Sequence, residues 1–264
     1  MPGTANTTEF LLSTATVMIG PQASAAFLNP AEHSIGLVKN VQAQVDLGFT
    51  DLTQGVQNQI VMSVNTKADT KITAEVYEYT AQNLLYGACQ QGSGYTSPTQ
   101  TVFSLGAAGA VGTAPTSIPL TTGQGAKFAA GNYVVLQSIS TPDKTHIGKV
   151  QSVATDTLTL VAAYGLEPTA TWSQADTVVY LVQNIDIGAI PTQPMFAVKI
   201  VGLSASGQPL SLLFPKVKIT KGINLAFQTN NFSNMPFEFT PYQLVPADPF
   251  YSDFGVKTWR VLRT

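Results

Sequence analysis

The stretch Ile35-Gly-Leu-Val-Lys-Asn-Val-Gln-Ala-Gln-Val-Asp-Leu47 decides the fold class. From Val41 onward it alternates, with Val41, Ala43, Val45 and Leu47 on one side and Gln42, Gln44 and Asp46 on the other. Successive side chains of a strand point to opposite faces, so this pattern reads as a half-buried β-strand. The pattern returns where Ile72, Ala74 and Val76 alternate with Thr73, Glu75 and Tyr77. Between the two runs, Asp51 to Gly55 reads as a turn and Met62 and Val64 share a strand face. The polar run Thr66-Lys-Ala-Asp-Thr70 reads as a hairpin tip. At Thr80 the period changes: Ala81, Leu84, Leu85 and Ala88 follow helical spacing, and Thr80 is placed to cap the helix.

Downstream, Gly92 to Thr116 is rich in Gly, Ala, Ser, Thr and Pro and reads as an extended connector. Short strand signals follow at 133–139, 147–153, 157–161 and 177–182, separated by turns such as Thr141-Pro-Asp143 and Ala154-Thr-Asp156. Such close spacing predicts a small β-barrel or sandwich, inserted over residues 116–183. Longer strands then resume. Phe196 to Val201 leads to a turn at Ser206-Gly-Gln-Pro209, Ser211–Thr220 and Gly222–Thr229 read as partners, and Asn230 to Asn234 reads as a loop. Pro236 to Tyr242 is the last strand, with Phe237 and Phe239 on one face and Glu238 on the other. The expected architecture is mainly β: one discontinuous domain over 1–115 and 184–264, and the inserted module.

Composition narrows the function. Hydrophobic residues make up 44% of the 264-residue chain, enough for a packed core, but charged residues only 11%, where about 25% is usual. A surface so poor in charge suits burial against other subunits, whose interface cores are depleted in charge. The net charge of −2 argues against tight phosphate binding, which needs clustered Lys and Arg. Cys89 is the only cysteine; it reads as a small buried hydrophobe, and no intramolecular disulfide or thiolate zinc cluster can form. The N-terminus carries no basic-then-apolar signal and the chain no 18-residue apolar run, so synthesis and folding in a cytoplasm are expected, without a membrane.

Catalytic signatures are missing: no Walker A loop, no G-x-G-x-x-G after a strand, no G-x-S-x-G elbow and no H-E-x-x-H. His33 and His146 lie in different domains, and His33 sits in a polar turn where a structural hydrogen bond is expected. Glu75 and Glu78 are the nearest carboxylate pair, but three residues apart on a strand they face opposite ways. The chain therefore reads as a non-enzyme with no cofactor and no metal. A carbohydrate-binding role for the insert, using Tyr133, Tyr164, Trp172 and Tyr180, is the rival from another class, and a hydrolase a remote one.

Four stretches, Pro30–Val41, Ala74–Gly87, Leu213–Phe227 and Met235–Tyr242, together resemble bacteriophage tail tube proteins, in the part of the chain outside the insert. The resemblance implies a tail-tube-type β-sandwich with one flanking helix and long hairpins. It also implies assembly of copies into hexameric rings that stack into the tube conducting DNA during ejection. A tail terminator or baseplate ring protein of the same fold is the nearest alternative. The implied setting is the virion, with self and other tail proteins as partners and genomic DNA passing without specific binding. The insert departs from the minimal pattern and is expected on the outer surface. Two residue sets follow as expectations. Gln42, Gln44, Asp46, Thr73 and Glu75 would line the channel as a mildly acidic, amide-rich wall. Phe250, Tyr251, Phe254, Trp259, Arg260 and Arg263 of the C-terminal tail would contact an adjacent subunit, since aromatic and Arg side chains most often anchor interfaces.

Overall fold

The structure is a computed structural model. It describes residues 15–54, 59–90, 101–106, 116–166, 172–185, 187–188, 193–226 and 232–263. Residues 1–16, which are polar, carry no period and read from the sequence as an arm, lie almost wholly outside these residues. The chain forms two compact units, one of Met1–Tyr95 with Ile187–Thr264, the other Thr96–Asp186.

The first unit begins with β1 (Thr16–Pro21), the short helix α1 (Pro30–His33), β2 (Val38–Gln54), β3 (Gln59–Val76) and α2 (Ala81–Gly87). The second carries β4 (Val102–Ser104), β5 (Ser117–Pro119), β6 (Tyr133–Ser138), β7 (Thr145–Ala154), β8 (Thr157–Leu160) and β9 (Thr177–Val182). The chain returns to the first unit with β10 (Phe196–Leu203), β11 (Pro209–Lys221), β12 (Met235–Pro241), α3 (Tyr251–Phe254) and β13 (Arg260–Arg263). The molecule is mainly β, in two antiparallel sheets.

The larger sheet runs β1-β10-β11-β12-β3-β2. β13 joins β11 at Leu210–Leu213, on the edge opposite β10. Alternation decides what is buried. Ile72, Ala74 and Val76 of β3, Met235, Phe237 and Phe239 of β12, and Val217 and Ile219 of β11 all turn into one core with Val17, Ile19 and Phe196. The helix α2 forms where the helical spacing predicts it. Thr80 caps it by accepting from the Asn83 backbone N–H at 3.1 Å. Buried Asn83 donates its amide to Ile35 O and Glu78 O, at 2.9 and 2.8 Å. Tyr86 packs edge-on against Phe196 and donates its hydroxyl to Ile19 O at 3.1 Å, so its polar end is satisfied inside the core. Cys89, half-buried against this core, donates its thiol to Ile219 O.

The smaller sheet runs β4-β9-β6-β7-β8-β5 around its own core, which includes Phe103, Leu136, Leu158 and Trp172. Its two edge strands meet: Leu105 bridges Leu120, with Gly106 N donating to Pro119 O and Thr121 N to Ser104 O. The sheet thus curls into a partly closed barrel. β4 lies in the stretch read as connector, so the compact unit begins before residue 116. Three residues are too few to show a period, and only the pairing with β9 reveals them as a strand.

Two other expectations change. Thr66–Thr70 is no hairpin tip but lies within β3, which pairs with β2 as far as Gln54↔Gln59, so Asp51–Gln54, read as part of a turn, is strand as well. The expected strand Gly222–Thr229 has no strand over 222–226, and 227–229 lie outside the described residues.

The chain following β12 is held by an ion pair. Lys216 Nζ lies 2.6 Å from Asp248 Oδ2, with both side chains largely buried. Burial pushes the Asp248 carboxyl up, but hydrogen bonds from Lys216 and the Val245 N–H outweigh it and leave the group below its ordinary value. A lowered carboxyl pKa stabilises the fold above the unfolded value of about 3.9, and that stability is lost as pH falls through the folded value. Asp248→Asn is expected to cost about 1–2 kcal/mol at pH 7. Denaturant melts over a pH series should show this deficit shrinking below about pH 4.

Candidate functional site: the two faces of the β2–β3 arm

β2 and β3 form one continuous ribbon, paired from Val38↔Val76 to Gln54↔Gln59. β12 covers β3 only from Ile72 to Val76. Beyond that point the ribbon is two strands wide, and its exposed part, Ala43 to Gln54 with the returning strand, is about 40 Å long at ~3.4 Å per residue. Its root is fixed by Glu78, whose carboxylate accepts from Leu37 N at 2.7 Å. Gly36 sits against that carboxylate at φ +80; a Cβ there would lie 2.2 Å from it, so a side chain has no room.

One face of the arm continues the core outward. Ala43 opposes Ile72, Val45 opposes Thr70 and Leu47 opposes Ala68, so these share a face, and the alternation carries Phe49 onto it. Leu47 is 54% and Phe49 58% exposed. At its base lies an apolar cavity of about 190 Å³ lined by Val41, Ala43, Ile200 and Leu212. The register shifts between Gly48 and Phe49, leaving Thr66 as the extra residue of β3. Asn65 fills the bulge by accepting from Lys67 N at 3.1 Å. Past the bulge, Leu52, Met62 and Val64 gather on the opposite face, all exposed. The arm thus offers an apolar surface on one side near the body and on the other near the tip.

The opposite face near the body brings together all five residues read as channel-lining. Gln42 opposes Thr73, Glu75 stands two residues on, and Gln44 donates its amide to Asp46 Oδ1 at 2.7 Å. The expected amide-rich, mildly acidic character is corrected, because the register adds lysines. Lys39 opposes Glu75, Lys71 opposes Gln44 and Lys67 opposes Gly48. Lys221 opposes Glu238, Glu238 opposes Thr73, and Lys218 joins the face through Thr240. Five lysines and four carboxylates (Asp46, Asp69, Glu75 and Glu238) share this face.

These charges are paired locally. Lys71 Nζ lies 3.0 Å from Glu238 Oε2, and Lys67 pairs with Asp69, whose hydrogen bond and charge raise the Lys67 ammonium pKa. Lys39 lies 4.9 Å over the Tyr77 ring, and Tyr77 donates its hydroxyl to Glu75 Oε2 at 3.1 Å. The Asn40 side chain, then Tyr77 and Asn234, hold the Glu75 carboxyl below its ordinary value against the upward push of burial. A cavity of about 310 Å³ lies here, lined by Asn40, Gln42, Thr73, Glu75, Lys221 and Glu238.

The tail residues pack largely within their own chain. Phe254 is buried in its own chain, Trp259 stacks on Phe214 at 5.2 Å, and Arg260 covers the Phe254 ring while bonding Asp253 at 2.9 Å. Half-buried Phe250 packs beside Met18, Ala25 and Leu28, Tyr251 is half-buried, and Arg263 opposes Leu210 within the sheet. Intramolecular packing therefore supplies the cover that these aromatics require.

Other candidates are occupied elsewhere. Trp172 is buried under Lys144 and offers no platform for a sugar. Tyr133 and Tyr164 meet edge to face, and Tyr180 is half-buried. His33 Nδ1 accepts from Asn29 N, and His146 Nε2 bonds Tyr164 O. Glu75 and Glu78 serve different tasks, as the alternation implies. Among the described residues no three His, Cys, Asp or Glu side chains are grouped as metal ligands, and no helix is long and apolar enough to cross a membrane. No protein-family model matches the chain, and no curated protein is significantly similar to it.

Sequence reasoning missed the lysines and the apolar tip. Extending the alternation of β2 through Phe49 and pairing it with residues 59–71 as one long hairpin is the signal that reveals both. The exposed apolar residues of the arm contribute little to the fold of the single chain. Leu47→Ser with Phe49→Ser should leave the free energy of chemical unfolding within about 0.5 kcal/mol of the parent. The same pair should lower the binding of a hydrophobic dye, and an unchanged dye signal would count against the arm as the exposed apolar surface.

Proposed function

We propose that the chain is a structural subunit of a bacteriophage tail, whose copies close into hexameric rings and stack into the tube that conducts DNA during ejection. The observation that carries this reading is the arm. A two-stranded ribbon is marginal in water by itself, and this one exposes apolar residues on both faces and unpaired strand edges. Neighbouring copies that add their strands and lay their sheets against it supply what is missing, and a closed ring leaves no free edge. Head-to-tail stacking then extends the rings, because a heterologous contact that does not close propagates. The four stretches resembling tail tube proteins and the low content of charge support the same reading. In it the chain is a virion component that acts on DNA by enclosing it and catalyses no reaction.

Electron microscopy of the purified protein tests this. Tubes of uniform width are expected, and Phe49→Asp should yield folded subunits that no longer assemble. Isolated rings alone would move the reading to a tail terminator or baseplate ring protein. Monomers at every concentration and salt condition would overturn it.

A further inference from the structure

The polar face of β2 and β3 concentrates five of the thirteen Lys and Arg residues of the chain. Such a cluster ordinarily marks a surface that grips nucleic acid, because each lysine meeting a phosphate releases a condensed counterion. Four of these five lysines stand beside or opposite a carboxylate, and two of the four are ion-paired. Lys71 is tied to Glu238 and Lys67 to Asp69. Lys39 stands opposite Glu75 and Lys221 opposite Glu238. A lysine held by a carboxylate on its own surface must give up that partner before it can neutralise a phosphate and displace a counterion condensed on the DNA. We propose that this face is a masked polyanion surface, on which Asp69 and Glu238 hold Lys67 and Lys71 so that double-stranded DNA meets a wall that neither binds nor repels it. The identity of the polyanion rests on the reading of a DNA-conducting tube; the masking itself is a property of the single subunit.

The alternatives fit the residues less well. An acidic wall would repel DNA but would also set like charges against one another around a ring, and it leaves the lysines unexplained. A basic wall would hold a passing duplex at every subunit, and the carboxylates at register positions beside the lysines contradict it. Direct opposition of Asp46 and Asp69 is unfavourable for an isolated ribbon. The Lys67–Asp69 pair relieves it, so the acids and bases of this face depend on one another.

The test measures binding of the full chain to a short fluorescent DNA duplex by anisotropy across a salt series, with electron microscopy on the same samples. The parent protein should bind only weakly. Glu238→Gln with Asp69→Asn should bind about tenfold or more tightly at low salt, with a log–log salt slope steeper by about 2, one for each lysine released. Glu32→Gln with Asp143→Asn raises the net charge equally at exposed positions off this face, and should leave binding at the parent level. Glu238→Asp, which keeps the carboxylate, should also stay at the parent level. Circular dichroism melts establish that each variant is folded. The inference is overturned if the parent already binds as tightly as the unmasked variant, if that variant gains nothing, or if the off-face control gains as much. Failure of the tube reading is separate: it appears as absent tubes in the parent, whatever the anisotropy shows.

Discussion

Past Ile72, β3 runs on without β12 beside it, and from there two strands must serve as a whole sheet. Two strands cannot enclose a core: every side chain has one neighbouring strand at most and water on the remaining sides. The other features of the first unit can be understood as consequences. The body grips the ribbon at its root, through Glu78 at Leu37 and Asn83 at Ile35. It grips it also through the buried row Ile72, Ala74 and Val76. Beyond the root, the described residues of the chain supply no further cover for the exposed apolar residues of the ribbon.

The bulge at Thr66 organises those surfaces. Without the extra residue, the alternation of β3 would carry Met62 and Val64 onto the side of Leu47 and Phe49, leaving Leu52 on the other. With it, Leu47 and Phe49 lie on the side of the core, and Met62 and Val64 on the other. Shifting a strand by one residue exchanges its faces; here the exchange takes place within one hairpin. Bulges bend the strand and raise its twist, so the outer half also leaves the plane of the inner half. A ribbon shaped in this way suits being held between two surfaces, one on each side.

Period and residue type made part of this legible in the sequence. The alternation at 72–76 is strong because Ile72, Ala74 and Val76 are buried by their own sheet, and burial imposes period two; at 43–47 the same alternation stands on residues that the single chain leaves exposed, so the half-buried strand expected there is an exposed one. The helix was legible because Thr80 caps it and its spacing differs from the strands beside it. The single long hairpin was not, because Thr66–Thr70 is polar and charged on both sides of the pleat, which looks the same in a turn as in a strand with no core to face. Placing the tip there removed Lys67 and Asp69 from the polar face and made that face look acidic. The tail is a different case. Phe254 and Trp259 announce that they need cover, but residue type does not say whose surface supplies it.

Charge placement adds the last step. In a chain with only 11% charged residues, scattered charges would suffice for solubility, yet five lysines and four carboxylates collect on one face of the ribbon and its neighbouring strands. The apolar stretches of the arm cannot be covered by another surface at the same time as this face unless the charges are also desolvated, which is costly for any ion left unpaired. A face left in water next to faces that are covered resolves the conflict. In the proposed assembly the strands would divide by environment: apolar rows against neighbouring copies, the charged face against solvent and whatever the solvent carries past.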